Sequence, residues 1–180
     1  MTLFTVGHGS LAEAELARLL RGAGVTHLVD VRSAPGSRRN PHLDRVQLER
    51  WLPEAGITYR WEPRLGGRRL RRPGSPNVAL EHEAFRAYAD HMARAEFAAA
   101  LDELLAEAAE EPTAVMCAEA LWWRCHRRLL ADAAVLLRGA RVLHLFHGGR
   151  LAVHEPMVEA RVEDGHLVYD RGATPRLPGL

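Results

Sequence analysis

The order of short apolar runs and amphipathic stretches along this chain predicts a single doubly wound α/β domain of Rossmann-like architecture. Its sheet is expected to be mostly parallel and five-stranded, with a small C-terminal hairpin. Three observations carry that prediction. Apolar runs of strand length recur along the chain, helical patterns fill the intervals between them, and Gly or Pro closes several of the helical stretches. A chain of 180 residues suits one domain, and 47% hydrophobic residues suffice for a sizeable core without disulfides. The expected organisation is an α/β domain over 1–156 and a hairpin with a tail over 157–180.

The first strand reads as Leu3-Phe4-Thr5-Val6-Gly7, ending in His8-Gly9. Ser10-Leu11-Ala12-Glu13 matches a capping box that opens a helix with Leu16, Leu19 and Leu20 inward, and Gly22 and Gly24 stop it. His27 to Arg32 is the second strand, with a carboxylate and a guanidinium at its end. Residues 33–43 form a loop rich in Pro, Gly and Ser, with Arg38 and Arg39 adjacent. Asp44 is placed to cap the next helix (Val46, Leu48, Trp51, Leu52), and Ile57 to Trp61 alternates like a third strand. No periodicity survives from Glu62 to Ala79, and a loop of that length inside a domain is usually functional or mobile. Helical pattern returns with Phe85, Tyr88, Ala89 and Met92, and again from Phe97 through Leu105. Pro112 announces the fourth strand and Gly139 closes the helix after it. Val142 to Phe146 is the fifth strand, and Asp164-Gly165 between alternating apolar residues predicts the hairpin. The last residues, through Pro175 and Pro178, read as disordered.

Acid and base nearly cancel over the whole chain, with 24 basic residues, all Arg, against 23 acidic ones. Their distribution is uneven. From Arg32 to Arg72 eleven Arg oppose four acids, a balance of +7, whereas from Glu81 to Glu119 ten acids oppose two Arg, a balance of −8. The basic half is a field that attracts phosphates or polyanions, unless the two faces simply satisfy each other. Two cysteines point to a reducing compartment. With no signal-like segment and no run of 18 apolar residues, the expectation is a cytoplasmic protein without membrane contact.

The stretch Thr113 to Arg128 gathers the chemistry: a buried strand, a short loop with Glu119, then a helical pattern over 121–138 with Cys125, His126 and Arg127 near its start. In a parallel α/β sheet the ligand crevice lies beyond the carboxyl ends of the strands. The ends of strands one, two and four therefore send His8, Asp30 with Arg32, and Cys117 with Glu119 towards one rim.

These residues also carry a family pattern. The stretches TVGHGS (5–10), LVDVRSAPGSRRNPHL (28–43), GITYRWEPRLGG (56–67), FRAYADHM (85–92) and MCAEALWWRCHRRLLAD (116–132) resemble the bacterial family catalogued as domain of unknown function number 488, as do spaced residues of GGRLAVH (148–154). The resemblance implies a small α/β domain and a shared site lined by His8, Asp30, Arg32, Arg38, Cys117, Glu119, Cys125, His126 and Arg127. It implies no reaction. Gly9 stands where a serine is more often expected, and Trp122-Trp123 is bulky for its loop.

Several chemistries compete for this constellation. Cys117, at a strand end among Arg residues, suits an ionised thiol, although Glu119 opposes both a thiolate and a bound phosphate. A tyrosine-phosphatase loop needs Arg five residues after its Cys, and Arg124 is too late. The LVDVR strand is similar to that of rhodaneses, but no matching cysteine loop follows. Cys117, Cys125, His126 and His8 could ligate a metal. Yet Cys-x7-Cys-His is not a zinc-finger spacing, and adjacent Cys125 and His126 on a helix point about 100° apart. Asp30 and Glu119, with His8 or His126, suit acid–base hydrolysis of glycosidic, N-glycosidic or phosphodiester bonds, or else mere ion pairing. Finally, Arg38, Arg39, Arg68, Arg69, Arg71 and Arg72, with Trp51, Tyr59 and Trp61, could bind nucleic acid without catalysis.

The leading expectation is a small enzyme acting on a phosphate-bearing small molecule, nucleotide or nucleic acid. Arg32, Arg38 and Arg127 hold the anion, Asp30 or Glu119 works with His8 or His126, and no metal or cofactor is required. The alternatives are a nucleic-acid-binding or regulatory module, and an enzyme that depends on the Cys117 thiol.

Overall fold

In the computed structural model, which describes residues 1–172, successive side chains of the central strands alternate between two cores. The class is the expected one: a six-stranded, mostly parallel sheet with helices on both faces and a small antiparallel hairpin. Strand β1 (Thr2–Gly7) leads through helix α1 (Glu13–Gly22) to β2 (His27–Asp30), and α2 (Arg45–Glu54) leads on to β3 (Thr58–Trp61). Helices α3 (Glu83–Met92) and α4 (Ala95–Glu110) precede β4 (Thr113–Cys117). Helix α5 (Arg127–Arg138) precedes β5 (Arg141–Leu145), followed by β6 (Leu151–Val153) and the hairpin β7 (Ala160–Glu163) and β8 (His166–Tyr169).

The sheet order is β3-β2-β4-β1-β5-β6, parallel throughout except that β6 runs against β5. On one face Val6, Leu28, Ala114 and Met116 pack with Leu16 and Leu20 of α1 and with Leu48 and Leu52 of α2. On the other, Leu3, Val29, Val115 and Val142 pack with α3, α4, α5 and the hairpin. Side chains of period two thus fill both layers at once, which is why these strands read as nearly continuous apolar runs.

The sixth strand is the one addition to the expected sheet. Its three residues are too few to show alternation, and it lies at an edge with Leu151 and Val153 exposed. Two helix caps also differ from the sequence reading. Helix α1 is capped at Ala12 rather than Ser10, the Ala12 N–H donating to Glu15 Oε2 at 2.8 Å. Asp44 does occupy the N-cap position of α2, but its carboxylate accepts the Ser37 N–H and so pins the preceding loop instead of the helix. Helix α5 ends on Gly139, whose φ of +65° supplies the left-handed turn expected there. The hairpin turn has positive φ at both Asp164 and Gly165, the geometry an Asp-Gly pair favours. The stretch containing Pro175 and Pro178 lies outside the described residues. No helix among the described residues is long and apolar enough to cross a membrane.

A buried polar chain ties the far side of the sheet to α5 and the hairpin. His144 of β5 lies 2.6 Å from Thr5 Oγ1 through Nδ1 and 2.9 Å from His154 Nδ1 through Nε2. His154 Nε2 lies 2.7 Å from Asp132 Oδ1. The Tyr169 hydroxyl donates to Asp132 Oδ2 at 3.0 Å, and the Met157 N–H to Oδ1 at 3.1 Å. A carboxylate only accepts, so with one proton per imidazole the chain runs from Thr5 through both rings to Asp132. The Trp122 indole stacks on His144 at 3.9 Å between centroids. Burial, then the neighbouring His154, lowers the His144 pKa to about 3.

Asp132→Ala, which strands His154, Tyr169 and Met157 donors in the core, is expected to cost roughly 3 kcal/mol, and Tyr169→Phe about 1 kcal/mol, in urea denaturation. The same chain sets a pH dependence. The unfolded imidazole of His144 has the ordinary histidine pKa of about 6.5, and burial brings the folded one down to about 3. The unfolded state therefore binds the extra proton, and stability is complete above pH 6.5 and falls by about 1.4 kcal/mol per pH unit below it. Denaturation midpoints at pH 7 and pH 5 check this; equal midpoints contradict it.

Candidate active site

The ends of β1, β2 and β4 lie side by side because these strands are neighbours in the sheet. The ladder between β1 and β4 continues beyond the strands: the His8 N–H donates to Cys117 O and the Gly9 N–H to Ala118 O, both at 2.9 Å. His8 is thereby carried next to Cys117. Gly7 permits this approach, since a Cβ there would stand 1.9 Å from the Glu119 carbonyl oxygen.

Above these ends opens a cleft of about 470 Å³. His8, Arg32, Cys117, Glu119, Cys125 and His126 line it, together with Ser33 and Asn40 of the 33–43 loop, Gly67 of the 62–79 loop and Phe85 of α3. Three exposed guanidiniums, those of Arg39, Arg68 and Arg124, also line it.

Asp30 stands behind the cleft, with no exposed surface. Arg32 Nε donates to both its oxygens at 2.9 and 3.0 Å, and Nη2 to Oδ2 at 2.5 Å. The Arg32 N–H donates to Oδ1 at 3.0 Å and the Tyr59 hydroxyl to Oδ2 at 2.8 Å. Burial and then the Asp30 charge push the Tyr59 phenol pKa far up, so it stays a donor. The other Nη2 proton goes to the Leu43 carbonyl at 2.9 Å, and one Nη1 proton goes to His8 Nε2 at 3.1 Å. Accepting from Arg32 places the single His8 proton on Nδ1, which donates to Gly9 O at 2.9 Å. Burial, reinforced by the Arg32 charge, lowers the His8 pKa to about 4.

The segment after β4 departs from the predicted helix over 121–138. Residues Trp122–Arg124 make a 3₁₀ turn, Cys125 is extended at φ −123° and ψ 152°, and α5 starts only at Arg127. The physical reason is the buried Arg127, whose guanidinium donates to the Glu119 carbonyl and, through Nε at 3.4 Å, to Cys125 Sγ. Serving both requires the chain to unwind around Cys125. That break overturns the argument that Cys125 and His126 diverge on a helix. Cys117 Sγ, Cys125 Sγ and His126 Nδ1 all lie within 4.8 Å of one another, with His126 Nδ1 3.8 Å from Cys117 Sγ and 3.6 Å from Cys125 Sγ. Hydrogen bonds from Cys117 and then from His126 favour ionisation at Cys125, while the Cys125 sulfur and burial push the Cys117 thiol up.

The imidazole of His126 is held on two sides. Tyr88 meets it edge-on at 5.0 Å, and the Gly67 backbone lies against its other side. A Cβ on Gly67 would stand 2.4 Å from His126 Nδ1, and one on Gly66 would stand 2.6 Å from Ser33 Oγ. The Leu65-Gly66-Gly67 bend is thus a packing requirement of the cleft floor.

Of the residues expected at the site, His8, Arg32, Cys117, Glu119, Cys125 and His126 meet at the cleft, whereas Asp30 and Arg127 form its buried support. Arg38 is exposed and outside the cleft lining, and its neighbour Arg39 is in it. Arg68 and Arg124 also line the cleft; the sequence marked their Arg-rich stretches but not which members face inward. The aromatic residues proposed for stacking are tied down elsewhere. Trp51 Nε1 donates to His42 O at 3.0 Å, Trp61 Nε1 to Arg32 O at 2.7 Å, and Tyr59 is spent on Asp30. Arg69 is folded back onto the carbonyls of Pro63, Arg64 and Gly66, and Arg71 pairs with Glu83.

A family model described as a domain of unknown function, DUF488, matches residues 13–134. No curated protein and no solved structure matches the chain.

Gly67→Ala is expected to push the imidazole or the loop aside and to lower stability by about 1–3 kcal/mol. A thermal melt of the variant, with Gly148→Ala as a control in open space at an ordinary φ, checks the size of the effect; a Gly67→Ala melt indistinguishable from the parent contradicts it.

Proposed function

We propose that this chain, which belongs to the DUF488 family, is a small cytosolic enzyme that binds a phosphate-bearing substrate in the cleft over the strand ends and acts on it by acid–base chemistry. The observation that carries the reading is the charge of the cleft lining. Arg39, Arg68 and Arg124 line the cleft, and none forms an ion pair among the described residues. The fourth guanidinium, Arg32, is neutralised by Asp30, and Glu119 is the single carboxylate residue in the lining among the described residues. Guanidiniums facing a concavity raise the local concentration of anions, and their planar forks suit phosphate oxygens.

Within this reading Glu119 is the acid or base. It is exposed, Oε1 accepts the Leu121 N–H at 3.0 Å, and Oε2 has no partner among the described residues. Asp30 is a positioning residue, since all its acceptor capacity is spent on Arg32 and Tyr59. Its task is to hold Arg32, and through Arg32 the neutral His8, in the floor of the cleft. The two free cysteines suit a reducing compartment.

Isothermal titration with inorganic phosphate, nucleoside monophosphates and short oligonucleotides tests the binding part. The triple variant Arg39→Ala/Arg68→Ala/Arg124→Ala is expected to weaken binding at least tenfold, and Glu119→Gln to leave it intact. Turnover of phosphodiester or N-glycosidic substrates is expected to fall by roughly 10²–10⁴ in Glu119→Gln. Equal affinity of parent and triple variant for every anion would falsify the reading.

A further inference from the structure

Cys117, Cys125 and His126 line the cleft and sit close to one another for a reason that the acid–base reading leaves unused. The imidazole of His126 is the odd member. It is buried, and among the described residues its Nδ1 has only two long contacts, both to sulfur, while Nε2, which would carry the proton of an imidazole ligating through Nδ1, has no partner. Burying a polar ring with so little compensation is costly.

We propose that these three side chains form a mononuclear site for a borderline-soft divalent cation, Zn²⁺ being the natural occupant, with a fourth coordination position open to the cleft. The distances fit. A tetrahedral ion with Zn–S bonds of about 2.3 Å and Zn–N of about 2.0 Å spaces its ligands roughly 3.5 Å apart for S···N. The two S···N distances are 3.6 and 3.8 Å, and all three ligand atoms lie within 4.8 Å of one another. The donor set, two thiolates and one imidazole, is the kind that selects such an ion. Two thiolates also cancel its charge, which makes the site tolerable beside Arg127. The Arg127 Nε–H, 3.4 Å from Cys125 Sγ, supplies the hydrogen bond to a ligating sulfur that outer-shell groups commonly provide.

Loading is a ligand exchange without electron transfer. Three Zn–O bonds to hydration water break as two S–Zn bonds and one N–Zn bond form, the waters leave, and up to two thiol protons pass to solvent. Three protein ligands rather than four is the pattern of a site that keeps a position for water or substrate. In the cleft that position adjoins the guanidiniums of the anion-binding reading. Only this last use of the ion rests on that reading; binding of the ion does not.

The test uses the full chain, reduced and stripped of metal with a chelator, and titrated with Zn²⁺ alone against a chromophoric competitor. One ion per chain is expected, with affinity reduced at least 100-fold in Cys117→Ser, Cys125→Ser and His126→Ala, each checked for folding by circular dichroism. Co²⁺ added to the unmodified chain reports independently of any variant. A sulfur-to-cobalt charge-transfer band with tetrahedral d–d intensity is expected. The Arg39→Ala/Arg68→Ala/Arg124→Ala variant keeps all three ligands and should bind the metal like the parent, which separates this inference from the anion-binding one. A cobalt spectrum without the sulfur band, or Zn²⁺ affinity unchanged in Cys117→Ser/Cys125→Ser, overturns the site. So does a chain isolated with a Cys117–Cys125 disulfide that fails to take up Zn²⁺ after reduction.

Discussion

A carboxylate with no exposed surface must find partners, and Asp30 finds all of them at the point where three strands end. Its oxygens take up Arg32, the Arg32 backbone and Tyr59 of β3, and Arg32 then reaches the Leu43 carbonyl and His8 of the β1 exit. Removing one partner of such a buried pair leaves an uncompensated charge, at a cost of about 3–5 kcal/mol. Strands that could otherwise fray at their carboxyl ends are thereby clamped to a common centre. The 33–43 loop is anchored at the same point through Leu43.

On the other side of the cleft floor Arg127 does comparable work with backbone rather than with a carboxylate. By holding the Glu119 carbonyl and Cys125 Sγ it fixes the loop after β4 and sets the unwound Cys125-His126 step before α5. The two buried guanidiniums are bonded within the protein, while the three on the rim are unengaged by acids among the described residues. This division explains how a chain of nearly balanced charge can present a basic hollow.

Much of this could be read from the sequence, because strand and helix periodicity is a local property. Apolar runs in 3–7, 114–117 and 142–146 located the central strands. The rule that parallel sheets bind at their carboxyl ends then brought His8, Arg32, Cys117 and Glu119 together before any coordinates. What periodicity does not encode is rotation within loops. Arg38 and Arg39 are equivalent as letters, yet only the second lines the cleft. The helix predicted from residue 121 starts at Arg127, because tertiary bonds to one guanidinium outweigh a favourable helical pattern. Strand β6 is too short to have a pattern, and the His144–His154–Asp132 chain joins residues whose spacing carries no signal.

That last chain also bears on how the molecule is made. Thr5 belongs to the first strand and Tyr169 to the last, and both terminate the same buried run of donors and acceptors around Asp132. During biosynthesis the carboxylate of α5 emerges from the ribosome before His154, Met157 and Tyr169 exist to satisfy it. The nascent polypeptide must therefore keep this layer hydrated and loosely docked until the hairpin has been translated. The full set of partners around Asp132 can be assembled only once the hairpin has been translated.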